Sequence, residues 1–164
     1  RGDALKNILP ALAALRRQNS ADRTNIFHYF GLEELKNIFD DIIETRHHIM
    51  ALMSWDDFHG FFGEDTVKDF TERRYTHFLK TRLITPKTPL SVKVRLQDGK
   101  EMRQTKFLPE HIALRGVANF IYGSKTSFIA LNRKEPAGFT LDNPDVAHFL
   151  SIYFESLWHH STDQ

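Results

Sequence analysis

Apolar and polar positions along this chain follow two alternating periods. Residues 3–19 place Leu5, Ile8, Leu9, Leu12 and Leu15 at helical spacing, with Asp3 to cap the start and Arg16 and Arg17 suited to the last turn. Pro10 lies inside that pattern, so the helix kinks or starts there. A polar break at 18–23 follows. Residues 25–30 (NIFHYF) form a β-rich run ended by Gly31. Residues 32–46 set Leu35, Ile38, Phe39, Ile42 and Ile43 on one helical face and Glu33, Glu34, Lys36, Asp40 and Asp41 opposite. Residues 48–54 (HIMALMS) are nearly all apolar and short, which predicts a buried strand.

Residues 56–63 read as an aromatic turn, and 64–80 as a helix with Val67, Phe70, Tyr75, Phe78 and Leu79 inward. A short strand at 82–85 is stopped by Pro86, the stretch 86–99 is weakly patterned, and 102–108 alternates loosely up to Pro109. Runs 118–122 and 126–131 flank Gly123-Ser124 as a hairpin, and 137–141 is a last strand. A cap within 142–144 opens a closing helix at 146–158, with Val146, Phe149, Leu150, Tyr153, Phe154 and Leu157 inward. The first half alternates strand and helix and predicts parallel strands with crossover helices. The second half predicts antiparallel pairing. Together they give an α/β fold: one mixed sheet with helices on both faces.

A chain of 164 residues makes one domain with room for an appendage. Its 41% hydrophobic and 26% charged residues are globular in proportion, and fourteen Phe predict a bulky aromatic core. The net charge of +1 argues against gripping DNA unaided, because phosphate contacts need a basic excess. The absence of Cys excludes disulfides, thiolate zinc sites and a Cys nucleophile. No apolar run approaches the ~18 residues of a membrane span, and no signal peptide is visible, so a cytoplasmic protein without a membrane partner is expected. The start at Arg1-Gly2-Asp3 is read as an excised piece of a longer chain.

Chemistry-bearing motifs are few. There is no phosphate loop, no dinucleotide fingerprint, no G-x-S-x-G and no H-E-x-x-H. The adjacent pairs His47-His48 and His159-His160 diverge on a strand or a helix, so neither is a two-ligand site, and no metal or cofactor is expected. Glu72-Arg73-Arg74 reads as a solvated, ion-paired face or an anion or interface contact. Ser54, Trp55 and Thr85 fall at the C-terminal ends of strands, where α/β sheets place ligands, and are candidate ligand-binding residues. The alternative for each is a packed loop aromatic or a turn-capping hydroxyl.

An ordered set of segments resembles the C-terminal region of TrmB-type transcriptional regulators, whose fold is like one half of phospholipase D. The segments are FHYFGLEELKNIFDDII, IMALMS, FTERRYTHFLKTRLITP, MRQTKFLP, NFIYGSKTSFIAL and EPAGFTLDNPDVAHFLSIYFESLW, and they span about Thr24 to Trp158. The resemblance implies an upstream winged-helix DNA-binding domain. This piece would then sense a small-molecule effector and form a homodimer, touching DNA only through that upstream domain. The sugar-binding extension of sugar-responsive members has no counterpart here.

Active phospholipase D-like halves carry H-x-K-x-x-x-x-D. Laid on the hairpin, only Lys125 survives, with Gly123 and Ala130 in the His and Asp positions. The resemblance therefore implies a domain that is not an enzyme, with Lys125 free to attract an anionic effector or to sit as a solvated turn lysine. The expected organisation is a linker or dimerisation helix at 1–20, pairing through Leu5, Ile8, Leu12 and Leu15, and a phospholipase D-like regulatory domain at 21–164. A diverged phosphodiesterase and a purely structural dimerisation module are the alternatives.

Overall fold

The computed structural model describes residues 6–12 and 24–164. Residues 6–12 are helical (α1), running through Pro10 with Ile8, Leu9 and Leu12 exposed. Leu5 and Leu15 lie outside the described residues. The body follows as β1 (Asn25–Phe30), α2 (Leu32–Thr45), β2 (Ile49–Met53), α3 (Trp55–Phe62), α4 (Glu64–Thr76), β3 (Thr81–Thr85), α5 (Pro89–Leu96), β4 (Arg103–Phe107), β5 (Val117–Tyr122), β6 (Lys125–Ala130), β7 (Ala137–Asp142) and α6 (Pro144–His160).

The seven strands form one sheet in the order β1-β7-β6-β5-β2-β3-β4. Strands β2, β3 and β4 are parallel neighbours, and the other pairs are antiparallel. The mixed sheet with helices on both faces is therefore as expected. The placement of β1 is not. It pairs antiparallel with β7 at the far edge, and α2 carries the chain across the sheet to its middle. Its residues explain this: Ile26, Phe27, His28 and Phe30 are all exposed, as suits an edge and not a buried parallel position.

Side-chain alternation assigns the two faces. Ile49, Ala51, Met53, Leu83, Ala118, Phe120 and Tyr122 join the core under α2, α3 and α4, while Met50, Leu52, Ile84 and Ile121 join the smaller core under α6. Phe39 centres the larger core, 4.5 Å from Phe70, 4.9 Å from Phe62 and 5.9 Å from Phe58 between ring centroids. This is the aromatic core that the fourteen Phe predicted. On the other face α6 is seated through Arg82, whose guanidinium lies against the rings of both Phe154 (5.2 Å) and Trp158 (5.3 Å) and forks onto the Glu155 carboxylate. The hydrogen bonds from Arg82 hold the Glu155 carboxyl below its ordinary pKa.

Local differences from the sequence reading have identifiable causes. The aromatic turn is a helix, α3, started by Ser54 and ended at Gly63, whose φ of 85° lets α4 begin at once. The weak stretch contains α5, opened by a Thr88/Ser91 capping box with Pro89 in the first turn. Helix α4 stops at Thr76, so Phe78 turns outward at φ 60° and is 76% exposed. Arg74, read as part of a solvated face, is buried and donates to the carbonyls of Leu79, Met102 and Glu101. On α6, Ala147 and Phe154 are inward, whereas Phe149 and Tyr153 stand on an exposed flank. Among the described residues no helix is long and apolar enough to cross a membrane.

Candidate functional site

Three places in the fold bear on function: the C-terminal ends of the parallel strands, the β5–β6 hairpin, and the N-terminal ends of the parallel strands.

The first holds Ser54, Trp55 and Thr85, and the structure does bring them together. The two hydroxyls are engaged within the fold. Ser54 Oγ accepts from Asp57 N (3.2 Å) as the cap of α3, and Thr85 Oγ1 accepts from Trp55 N (3.0 Å) in a fully buried position. Beside them Thr88 Oγ1 donates to Asp56 Oδ1 (2.7 Å), and Gly116 N donates to Asp57 Oδ2 (3.0 Å), tying α5 and the start of β5 to the same helix end. Trp55 packs on Phe58 at 5.7 Å. These residues form a joint between α3, α5 and the sheet, because helix caps claim short hydroxyls at strand-to-helix turns.

At the hairpin, Gly123 (φ 62°) and Ser124 turn the chain between β5 and β6. Ser124 is anchored to the last strand by its hydroxyl on Asp142 Oδ1 (2.7 Å) and its carbonyl under Asn143 N (2.9 Å). Lys125 is not a free cation. Its Nζ lies 2.7 Å from Asp41 Oδ1 on α2, and the other oxygen of that carboxylate accepts from the Tyr122 hydroxyl (2.9 Å). Tyr122 in turn meets Ser127 Oγ (2.6 Å), and Ser127 meets Thr140 Oγ1 (2.7 Å). Burial, ahead of the nearby Asp41 charge, pushes the Tyr122 phenol above its ordinary pKa. One imidazole is present as well. A β-carbon at Gly123 would lie 2.7 Å from His47 Cδ2, so His47 fills the space that a side chain at 123 would need. Asp41, His47 and Tyr122 were not among the candidate site residues read from the sequence. Asp41 was assigned to a solvated helix face and His47 to a divergent pair.

The third place was not anticipated. A cavity of about 540 Å³ opens where β2, β3 and β4 begin, lined by His48, Met50, Lys80, Thr81, Arg82, Met102 and Gln104 among others. Its wall at 98–103 is fastened from within. Arg103 donates to Asp98 Oδ1 (2.8 Å), Glu101 Oε2 (2.7 Å) and the Val94 carbonyl (2.7 Å), and Asp98 also accepts from Thr105 N (2.7 Å). Burial, and then the neighbouring Arg103 charge, lowers the Arg74 guanidinium to about 10. Among the described residues no group of three or more His, Asp or Glu could hold a metal ion.

No family model matches the chain, and no curated protein matches it. Solved structures do. TrmBL2, an archaeal chromatin protein with a novel mode of DNA binding, matches over 99% of this chain at 13% identity and TM-score 0.58. This chain spans 62% of TrmBL2's length. NucT from Helicobacter pylori matches over 85% of this chain and 99% of its own, at 7% identity and TM-score 0.63. Nuc from Salmonella typhimurium, a phospholipase D family member, matches over 87% of this chain and 99% of its own, at 10% identity and TM-score 0.65.

The fold is thus phospholipase D-like. The exclusion of enzymatic activity made from the sequence does not stand, because the same fold is that of a phospholipase D family member. That exclusion looked for an imidazole inside the hairpin's own sequence, whereas the folded chain supplies one, His47, from the turn before β2.

Proposed function

We propose that this chain is the effector-sensing and dimerisation domain of a TrmB-like transcriptional regulator. One observation carries this reading: the likeness to TrmBL2 extends over 99% of the chain, while Nuc and NucT leave 13% and 15% of it unmatched. The near-neutral net charge and the Lys125–Asp41 pair support it, since both reduce the pull on phosphate. On this reading residues 1–20 are the linker or dimerisation helix, 21–164 are the sensing body, and DNA is read by a winged-helix domain upstream. Pairing of two leading helices sets the spacing of two DNA-reading heads. An effector acts by binding one dimer arrangement better than the other.

The exposed apolar residues of α1 make the test direct. In the Ile8→Asp/Leu12→Asp variant, light scattering is expected to give a monomer where the unaltered chain gives a dimer. A dimer of unchanged mass would overturn the leading-helix mechanism.

A second reading, phosphodiester hydrolysis, is favoured by the meeting of His47 with the Lys125 hairpin. It expects turnover of bis(p-nitrophenyl) phosphate that is lost in both Lys125→Ala and His47→Ala. Turnover of that kind would displace the regulator as the primary reading.

A further inference from the structure

We infer that the cavity at the N-terminal ends of β2, β3 and β4 binds a small organic anion: a carboxylate or phosphate monoester on an apolar body. This deepens the proposed function, on which it rests only for the ligand's regulatory consequence. At about 540 Å³ the cavity has the volume of a small-molecule site. Ile49, Met50 and Met102 give it apolar surface. Its wall does not depend on a ligand to form, because Arg74 and Arg103 hold the 98–103 segment by its carbonyls and carboxylates.

Two features ask for an anion with a hydrogen-bonding head. The first is charge. Three cations line the cavity, and two are spent: Arg82 on Glu155, and Arg103 on Asp98 and Glu101. Lys80 is the third, and among the described residues its ammonium has neither an ion pair nor a hydrogen bond. One positive charge, that of Lys80, is therefore without a carboxylate partner at this site. The second is the Thr81 hydroxyl. Thr81 is 8% exposed and lines the cavity, and its Oγ1 has no partner among the described residues. Buried hydroxyls are almost always satisfied, so this one marks a place where a partner arrives. His48 stands at the rim with Nδ1 taken by Lys80 N (3.3 Å).

The test is an amide-resolved NMR titration of the chain with four probes: octanoate, phenyl phosphate, 1-octanol and inorganic phosphate. Octanoate or phenyl phosphate is expected to shift amides at 48–50, 80–82 and 98–104, and the tighter of the two identifies the head group. The neutral body alone and the head alone should each bind about tenfold more weakly, as for a lost charge-assisted hydrogen bond. Lys80→Met should weaken the anions by about tenfold and leave octanol unchanged. Thr81→Val should weaken the anions without lowering the melting temperature. The inference is overturned if no probe moves those amides at millimolar concentration, or if both variants bind the anions as tightly as the unaltered chain. That failure is separable from failure of the regulator reading, because the mass of the Ile8/Leu12 variant does not depend on this cavity.

Discussion

The parallel strands β2, β3 and β4 end in a closed joint and begin at an open cavity. At the closed end every hydroxyl is spoken for: Ser54 caps α3, Thr85 holds Trp55 N, and Thr88 and Ser91 cap each other. At the open end the backbone of the wall is held as firmly, but Lys80 and Thr81 are left unmatched among the described residues. The same residue types on the same strands therefore do opposite things. Helices begin at one end and recruit polar groups as caps. No helix begins against the cavity at the other, so polar groups there stay available.

The comparison breaks most visibly if the wall is cut. Arg74→Met leaves the carbonyls of Leu79, Met102 and Glu101 without their donor. At about 1 kcal/mol for each orphaned carbonyl, stability should fall by about 3 kcal/mol in urea unfolding. The burial that lowers Arg74 to about 10 is itself a cost that the variant relieves, which keeps the loss at this low figure.

The next largest effect is at the closed end. Thr85→Val removes the acceptor of a buried backbone N–H and should cost about 2 kcal/mol by the same measurement.

The hairpin network, also sealed, offers a pH test. In the unfolded chain Tyr122 loses its proton near 10.0, whereas in the folded chain burial keeps the phenol protonated above that pH. The folded state then holds the extra proton, so this residue's contribution falls as pH rises through 10. Tyr122→Phe should lose stability less steeply above pH 10 than the unaltered chain.

The smallest effect sharpens the contrast most. Thr81→Val, four residues along β3 from Thr85, should stay within about 0.5 kcal/mol of the unaltered chain, because no hydrogen bond is lost. A penalty equal to that of Thr85→Val would erase the distinction between the two ends.

Much of the fold was legible in the sequence because long amphipathic segments report their own period. The face of α2, the Gly123-Ser124 hairpin and the closing helix emerged from pattern alone. Helices α3 and α5 did not, since eight residues cannot establish a helical period, and α3 is apolar almost throughout. Their caps were the available signal: Ser54 ahead of Asp57, and Thr88-Pro89 ahead of Ser91.

Candidate sites were less legible than the fold. Strand-end position singled out Ser54 and Thr85, but it says nothing of whether a cap has already used the hydroxyl. The open cavity joins segments near residues 48, 80 and 102 through sheet register, a relation no local motif encodes. The divergence expected of His47 and His48 is instructive: one imidazole goes to the hairpin and the other to the cavity rim.

The regulator reading stands or falls most directly on the assembly state of the chain. Light scattering of the Ile8→Asp/Leu12→Asp variant beside the unaltered chain is the measurement. A dimer that becomes a monomer is the predicted result. A chain that is monomeric before substitution, or a dimer that survives it, would contradict the account.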